Sequence, residues 1–202
     1  MVVFATHEHT DHFDPVIYDW EGAIPKLTYV FGFKPEELPQ NLGPGYEHPE
    51  YTYVGPRQAA KVSGVEIQTI AANDAGVGFL VKVDGITLFH AGDHAGWADD
   101  ARDGYFAEID YLDGLADSPD IAFLNVTGCH AHDPARLKEG NLYALDRLTP
   151  RALVPTHGAD REQVYRTAGE ELTAAGATTP MVFPMNRGDS YLYSNGVLTE
   201  AR

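Results

Sequence analysis

The sequence has a single cysteine, few basic residues and no long apolar run, and each shortage excludes a class of protein. Cys129 alone cannot form an intramolecular disulfide, which fits a reducing compartment and a cytoplasmic location. Only 14 Lys and Arg stand against 30 Asp and Glu, and the net charge of −16 disfavours nucleic-acid and membrane partners. No apolar stretch reaches the roughly 18–20 residues that span a bilayer, and the N-terminus lacks the basic start of a signal peptide.

The 202 residues suit one compact domain, residues 1–202, with alternating strands and helices. The apolar patterns predict strands at 2–6, 65–70, 77–83, 86–91, 120–126 and 151–157. They predict helices near Pro15, within 103–117, and over 137–148 and 161–175. Several strands stop at His or Asp, an arrangement typical of α/β proteins whose chemistry lies at strand ends.

Turn-forming residues complete this outline. Asp84-Gly85, between two apolar runs, predicts a hairpin, and a Ser-Asn-Gly sequence predicts another near the end of the chain. The segment 28–53, rich in Pro, Gly and aromatic residues, is expected to be a long irregular loop.

The strongest chemical feature is the run T-H-E-H-T-D-H at residues 6–12. Imidazoles and carboxylates in such density are a metal-ligand composition, with a polar surface loop as the alternative. In an extended segment residues two apart face the same side, so His7 and His9 can bind one ion. Where the chain turns, Asp11 and His12 can reach a neighbouring position.

This motif, after an apolar strand, resembles the signature of the metallo-β-lactamase superfamily. GITLFHAGD (85–93) resembles the family's strand that ends in Gly-Asp, and LVPTHG (153–158) resembles a later strand that delivers another His. RGDSY (187–191) is similar to terminal strands of lactonase-like members. The spacing is most similar to the branch related to ascorbate-6-phosphate lactonase.

The resemblance implies a four-layer αββα sandwich with metal ions at one edge, between the two sheets. It implies one or two divalent ions, Zn²⁺ first and Mn²⁺ or Fe²⁺ as alternatives, bound by His7, His9, Asp11, His12, Asp93 and His157. Asp93 would bridge two ions, and Asp11 would be the catalytic residue that orients a metal-activated hydroxide. His9 stands where oxygen-reducing diiron members have Glu, which favours hydrolysis over redox chemistry.

Two features depart from the family pattern. Where the family has a third His, this chain has Asn73 and Asp74, and we expect Asp74 either to bind metal as a carboxylate or to cap the loop. The chain also begins only six residues before His7, whereas relatives have several strands there. A sandwich without those first N-terminal strands would leave an open sheet edge and an uncovered apolar face, which we expect a homodimer to cover.

Other polar residues are weaker candidates. His94, His130 and His132 are possible pocket residues, with simple structural roles as the alternative. His90 is expected to be packed or to support a ligand. The candidates for binding a substrate phosphate are Arg57, Arg136 and Arg187.

The residues and the resemblance together predict a metal-dependent hydrolase that acts on a small-molecule ester, lactone or phosphoester. The alternative is a catalytically impaired metal-binding or interaction protein derived from the same fold. A nuclease of this superfamily is disfavoured by the acidic composition.

Overall fold

Two stacked β-sheets organise the protein in the computed structural model, which describes residues 1–37, 50–98, 100–115, 118–128 and 133–201. A parallel three-stranded sheet has the order β1 (Val2–Ala5), β2 (Thr28–Phe31), β3 (Tyr51–Tyr53). A mixed six-stranded sheet has the order β4 (Ala59–Val62), β5 (Val65–Ala71), β6 (Val77–Val83), β7 (Ile86–His90), β8 (Ile121–Asn125), β9 (Ala152–Thr156). A C-terminal hairpin joins β10 (Tyr191–Ser194) to β11 (Val197–Glu200).

In the described part of the chain, three α-helices belong to the layer outside the larger sheet. They are α1 (Arg102–Asp113), α2 (Pro134–Leu148) and α3 (Gln163–Ala174). Because side chains alternate along a strand, Phe89, Leu124 and Leu153 share one buried core with apolar residues of the helices. Burial of each such side chain contributes about 1.5–3 kcal/mol to stability.

The opposite face of the larger sheet packs on the three-stranded sheet. Val30 of β2 and the alternating residues Val77, Phe79 and Val81 of β6 form this core. The outer face of the small sheet carries an aromatic cluster that includes Phe13, Tyr18, Tyr29, Phe31 and Phe33. The layers therefore follow the predicted α/β sandwich, although a short 3₁₀ helix rather than an α-helix lies outside the small sheet.

That 3₁₀ helix, Pro15–Trp20, starts as the sequence predicts. The Asp14 carboxylate accepts a hydrogen bond of 2.9 Å from the Val16 amide, and Pro15 occupies the first helical position. The two hairpin turns are also confirmed, because Asp84-Gly85 and Asn195-Gly196 all have positive φ.

The prediction of an irregular segment over 28–53 is wrong at both of its ends, where β2 and β3 form. Parallel strands in the middle of a sandwich are buried on both faces, so their apolar residues run together without alternation. Tyr29, Val30 and Phe31 are all buried in this way. Residues 38–49 of that segment lie outside the described residues. None of the helices in the described ranges has the length and apolar character needed to traverse a lipid bilayer.

Candidate metal centre

The expected ligands lie where strands end. β7, β8 and β9 are parallel neighbours, so their carboxyl ends meet at one sheet edge and bring Asp93, Thr127 and His157 together. The His/Asp run that follows β1 reaches the same edge, where the Val77 amide donates to the Thr6 carbonyl at 3.2 Å. Gly76 has a positive φ, and a Cβ there would overlap the Thr6 carbonyl oxygen. Glycine at this position therefore lets the two segments approach closely.

The structure brings all seven expected metal ligands into two adjoining groups. Ligand atoms of the first group lie within 4.8 Å of one another, and the group contains His7, His9, Asp74 and Asp93. The second group meets the same distance limit and contains Asp11, His12 and His157.

Asp93 stands between the two groups. One carboxylate oxygen, Oδ2, lies 3.5 Å from His7 Nε2. The other, Oδ1, lies 3.2 Å from His12 Nε2 and 3.3 Å from His157 Nε2. This buried carboxylate therefore faces imidazoles of both groups, one oxygen to each.

Three imidazoles present a buried nitrogen toward Asp93. Within the described part of the chain, Nε2 of His7, His12 and His157 has no hydrogen-bond partner of acceptable geometry. Leaving a buried polar atom unsatisfied costs about 1–3 kcal/mol, so three of them around one carboxylate require an explanation. Imidazole nitrogens and carboxylate oxygens that converge in this way are a ligand set for a divalent metal ion.

Threonine hydroxyls hold the other nitrogens of these rings. Thr127 Oγ1 donates to the His157 carbonyl at 2.7 Å, so the same oxygen accepts from His157 Nδ1 at 2.8 Å. That arrangement places the ring proton on Nδ1 and leaves the Nε2 lone pair for an ion. Thr6 Oγ1 lies 3.0 Å from His7 Nδ1 and 3.5 Å from His12 Nδ1, so it contacts one ring from each group.

Two asparagines to which the sequence analysis gave no role support the centre. Asn125 is fully buried, and its Nδ2 donates to Asp93 Oδ1 at 2.9 Å while its Oδ1 accepts from the Thr127 and Gly128 amides. Asn73 donates to the Gly96 carbonyl and accepts from the Ala95 amide at 2.9 Å. Asn73 thereby ties the loop that carries Asp74 to the loop that follows Asp93.

Charge complementarity holds the centre together. Burial opposes the ionisation of Asp93, but its contacts with His12, His157 and His7 outweigh this effect and lower its pKa far below the usual value. Contact with the Asp93 carboxylate raises the pKa of His157 in turn, against its partial burial. In the first group, His9 Nδ1 lies 3.7 Å from Asp74 Oδ2.

A cavity of about 560 Å³ lies over the two groups. Its lining includes His9, Asp11, Asp74 and His157, and Arg161 is the one Lys or Arg among the described residues that line it. Among the described residues, no carboxylate lies within ion-pair distance of Arg161. The sequence analysis missed this arginine, because it follows His157 by four residues in a segment without a motif.

The three arginines expected to bind phosphate are engaged elsewhere. Arg57 pairs with Glu108 at 2.9 Å, and Arg187 pairs with Asp160 at 3.1 Å. Arg136 donates to the Trp97 carbonyl at 3.2 Å. None of the three lines the cavity over the metal groups.

The remaining histidines divide by their surroundings. His94 is 2% exposed, stacks on Tyr105 with ring centroids 4.2 Å apart, and contacts the Tyr105 carbonyl through Nε2 at 3.2 Å. This placement argues against a pocket role for His94 and favours the structural alternative. His90 accepts from the Gly92 amide through Nδ1 at 3.1 Å. The candidates His130 and His132 lie outside the described residues.

No family model matches the sequence. The chain is similar to proteins named UPF0173 metal-dependent hydrolases. It is 25% identical over 186 residues to one from Pyrococcus furiosus, covering 84% of this chain and 75% of the relative. It is 23% identical over 194 residues to one from Caldivirga maquilingensis, covering 93% of this chain and 78% of the relative.

Solved structures establish the fold. The metallo-β-lactamase fold protein YhfI from Bacillus subtilis superposes with a TM-score of 0.55 at 13% identity, over 90% of this chain and 72% of that one. CmlA, a diiron β-hydroxylase from Streptomyces venezuelae, gives a TM-score of 0.58 at 8% identity, over 90% of this chain and 43% of that one. The chain therefore has the metallo-β-lactamase fold, a fold whose members differ in the reactions they catalyse.

Proposed function

We propose that this chain is a metal-dependent hydrolase whose two His/Asp groups bind one or two divalent ions. The observation that carries the proposal is the position of Asp93, with one oxygen toward His7 and the other toward His12 and His157. A carboxylate in that position can serve two ions at once. The names of the relatives from Pyrococcus furiosus and Caldivirga maquilingensis support the same reading.

The donor set fits a small divalent ion. Each group offers two imidazoles and a carboxylate, Asp74 in the first and Asp11 in the second, and Asp93 adds an oxygen to both. Zn²⁺ accepts such mixed nitrogen and oxygen sets, and the carboxylate share also suits Mn²⁺ and Fe²⁺. When bound, the ions would lower the pKa of water toward about 7 and polarise the oxygen of a carbonyl or phosphoryl group.

Asp11 is the residue that we assign to proton handling. Its carboxylate is 60% exposed, lies 3.2 Å from His157 Nε2 and lines the cavity over the metal groups. A carboxylate at the edge of the centre can accept a proton from the attacking water and orient that water toward a substrate. The resemblance to lactonase-like enzymes favours a small ester, lactone or phosphoester, and Arg161 lines the cavity in which a substrate anion would lie.

Metal analysis combined with a hydrolysis screen tests the proposal. Protein purified with added Zn²⁺ or Mn²⁺ should retain at least one ion per chain and hydrolyse members of an ester, lactone and phosphoester panel. Asp11→Asn should lower kcat at least tenfold, whereas Asp103→Asn, a change of a fully exposed helix residue, should not. Fewer than about 0.2 ions per chain would instead favour the non-catalytic alternative, because structural and catalytic sites normally fill.

The homodimer stays a prediction. Within the described residues β1 is an edge strand of the three-stranded sheet, which is the kind of edge that a second copy can cover. Size-exclusion chromatography with light scattering tests this, and a stable monomer would refute it.

A further inference from the structure

Arg161 differs from the other arginines in the described residues. Arg166 lies over the Phe183 ring, with its guanidinium carbon 5.9 Å from the ring centroid. Six others lie at ion-pair distance from a carboxylate, namely Arg57, Arg102, Arg136, Arg147, Arg151 and Arg187. The Arg161 side chain has no such contact with a described residue, although the chain has 30 Asp and Glu. A guanidinium without an internal partner, in the lining of the cavity over the metal groups, is suited to bind an anion from outside the chain.

The acidic residues on either side of Arg161 are engaged by other groups. Asp160 Oδ1 accepts a hydrogen bond of 3.1 Å from Arg187. Glu162 Oε1 accepts a hydrogen bond of 3.2 Å from the Asp160 amide. Neither neighbouring carboxylate therefore neutralises the guanidinium of Arg161, which keeps its charge available to a ligand in the cavity.

A hydrogen-bonded turn ties Arg161 to the expected ligand His157. The Arg161 amide donates to the Gly158 carbonyl at 2.8 Å, and the Val164 amide donates to the Arg161 carbonyl at 2.9 Å. The hydroxyl of the buried Tyr165 accepts from the Gly158 amide at 2.9 Å. Because this turn begins directly after His157, it holds the Arg161 backbone beside the metal groups, and only the exposed side chain has to become ordered on binding.

The charge of the metal groups makes this arginine important for a substrate anion. The two groups contain three carboxylates, from Asp11, Asp74 and Asp93, which would offset three of the four positive charges of two divalent ions. Glu8 also lines the cavity and would offset the fourth, and a centre with one ion would be negative. Arg161 is the one Lys or Arg among the described residues of this lining, so it supplies the positive charge that attracts an anion.

We propose that Arg161 binds a carboxylate of the substrate and makes the enzyme selective for small esters or lactones with one negative charge. The proposal rests on the proposed function, because the metal centre holds the carbonyl that reacts. A carboxylate carries one charge and matches the planar guanidinium, which can donate two parallel hydrogen bonds to it. A phosphate monoester carries about −1.5 to −2 charges at pH 7 and would leave an excess of negative charge in this acidic cavity.

Hydrolysis of such an ester leaves the bound carboxylate unchanged. Water adds to the ester carbonyl carbon, and the bond between that carbon and the ester oxygen breaks. The alcohol leaves with one proton of the water, and the new acid keeps the added oxygen and releases the second proton to solvent. Because the charged group lies at the other end of the molecule, Arg161 orients the substrate and takes no part in bond breaking.

Pairs of esters that differ in charge but little in shape test the assignment. Monoethyl malonate, succinate and adipate are each compared with the ethyl ester in which an uncharged carboxamide replaces the carboxylate. The three lengths cover a range of distances between the two ends. A charge-assisted hydrogen bond contributes about 10–100-fold, and solvent screening of an exposed side chain favours the lower figure. With the metal-loaded wild type, at least one carboxylate ester should have a kcat/KM about tenfold above that of its amide.

Two variants of Arg161 and one control locate the source of this ratio. Arg161→Gln should reduce the ratio to within about twofold, and Arg161→Lys, which keeps the charge without the planar fork, should give an intermediate value. Arg166→Gln changes the net charge by the same amount, from an exposed position on α3 that does not line the cavity, so it should keep the tenfold ratio. The Arg161 variants should fold like the wild type, because its side chain bonds to no described residue.

The possible failures give different results. Equal kcat/KM within every pair, or a ratio unchanged in Arg161→Gln, overturns the inference and leaves the proposed function standing. Ethyl 3-phosphonopropanoate carries a phosphonate that can hold two charges. A preference for it over monoethyl succinate that disappears in Arg161→Gln overturns the assignment of a carboxylate.

If no ester is hydrolysed, binding to the metal-loaded protein decides. Calorimetry compares the monohydroxamate of succinic acid with its carboxamide analogue, which has the same metal-binding end and no carboxylate. Tighter binding of the carboxylate, lost in Arg161→Gln, supports the role of Arg161 without the activity, and equal binding overturns it. A protein that retains no metal overturns the proposed function and the inference with it.

Discussion

Replacing Thr127 by Val removes a single hydroxyl that performs two tasks. Thr127 Oγ1 donates to the His157 carbonyl at 2.7 Å and accepts from His157 Nδ1 at 2.8 Å. The first bond supports a backbone with φ of 72°, a conformation that non-glycine residues adopt infrequently. The second fixes the ring tautomer that leaves Nε2 available as a ligand. Valine has nearly the same shape, so the change removes hydrogen bonds with little loss of packing.

The expected magnitude follows from these contacts. Loss of an outer partner of a metal-binding His lowers affinity by about 10–100-fold, which is roughly 1.4–2.7 kcal/mol. Loss of the two hydrogen bonds should lower the free energy of unfolding of the metal-free protein by about 1–3 kcal/mol. The affinity for Zn²⁺ should therefore fall more in Thr127→Val than in a variant that loses a hydrogen bond far from the centre.

Competition with a Zn²⁺ chelator indicator measures the affinity, and urea unfolding measures the stability. Thr173→Val is the control, because Thr173 Oγ1 donates to the Gly169 carbonyl at 2.8 Å within α3, without contact to a ligand. This control should lose stability alone. An affinity of Thr127→Val within twofold of the wild type would refute the assignment of His157 as a ligand held by this hydroxyl.

Three further predictions concern the centre and its surroundings. Asp93→Asn should reduce the metal content of the dialysed protein at least by half, because both groups share that carboxylate. Elemental analysis measures the content, and an unchanged content would contradict the bridging position. Asp74→His should raise the preference for Zn²⁺ over Mn²⁺ in a competition experiment, because imidazole is a softer ligand, and an unchanged ratio would argue that Asp74 only caps its loop. Burial lowers the pKa of His94 to about 4. Between about pH 6.5 and pH 4 this histidine is therefore protonated in the unfolded chain and neutral in the folded chain, so the free energy of unfolding falls as the pH drops through that window. Between pH 7 and 5 the metal-free wild type should lose about 2 kcal/mol more than His94→Phe in urea unfolding, and parallel profiles would disprove the buried neutral imidazole.

The sequence alone indicates the part of the candidate centre whose signal is local. His7, His9, Asp11 and His12 lie within one short motif, and their spacing in an extended segment indicates shared ligation without knowledge of the fold. Asp93 and His157 needed the resemblance to a family, because nothing local relates a Gly-Asp after one strand to a His after another. Parallel pairing of β7, β8 and β9 is what brings them to the same edge.

The parts of the fold and the site that the sequence did not reveal depend on contacts between residues that are far apart in the sequence. Asn125 is the last residue of β8 and stands in no motif, and only the fold places it 2.9 Å from Asp93. The strand β2 was obscured because both of its faces are buried and no alternation remains. For His94 the sequence left a pocket role and a structural role open, because the residue follows Asp93. Side chains of consecutive residues can diverge, and this one enters the helix-facing core beside Tyr105.

The Thr6 hydroxyl has a consequence for how the two groups would fill. It contacts His7 and His12, rings that belong to different groups, and it is buried together with His7. An ion that ordered one ring would also fix this shared oxygen, and the second ring would then be partly oriented before a second ion arrived. Less conformational entropy would be lost at the second event, so we expect the first ion to favour the second through an uncharged group, against the repulsion between the two cations.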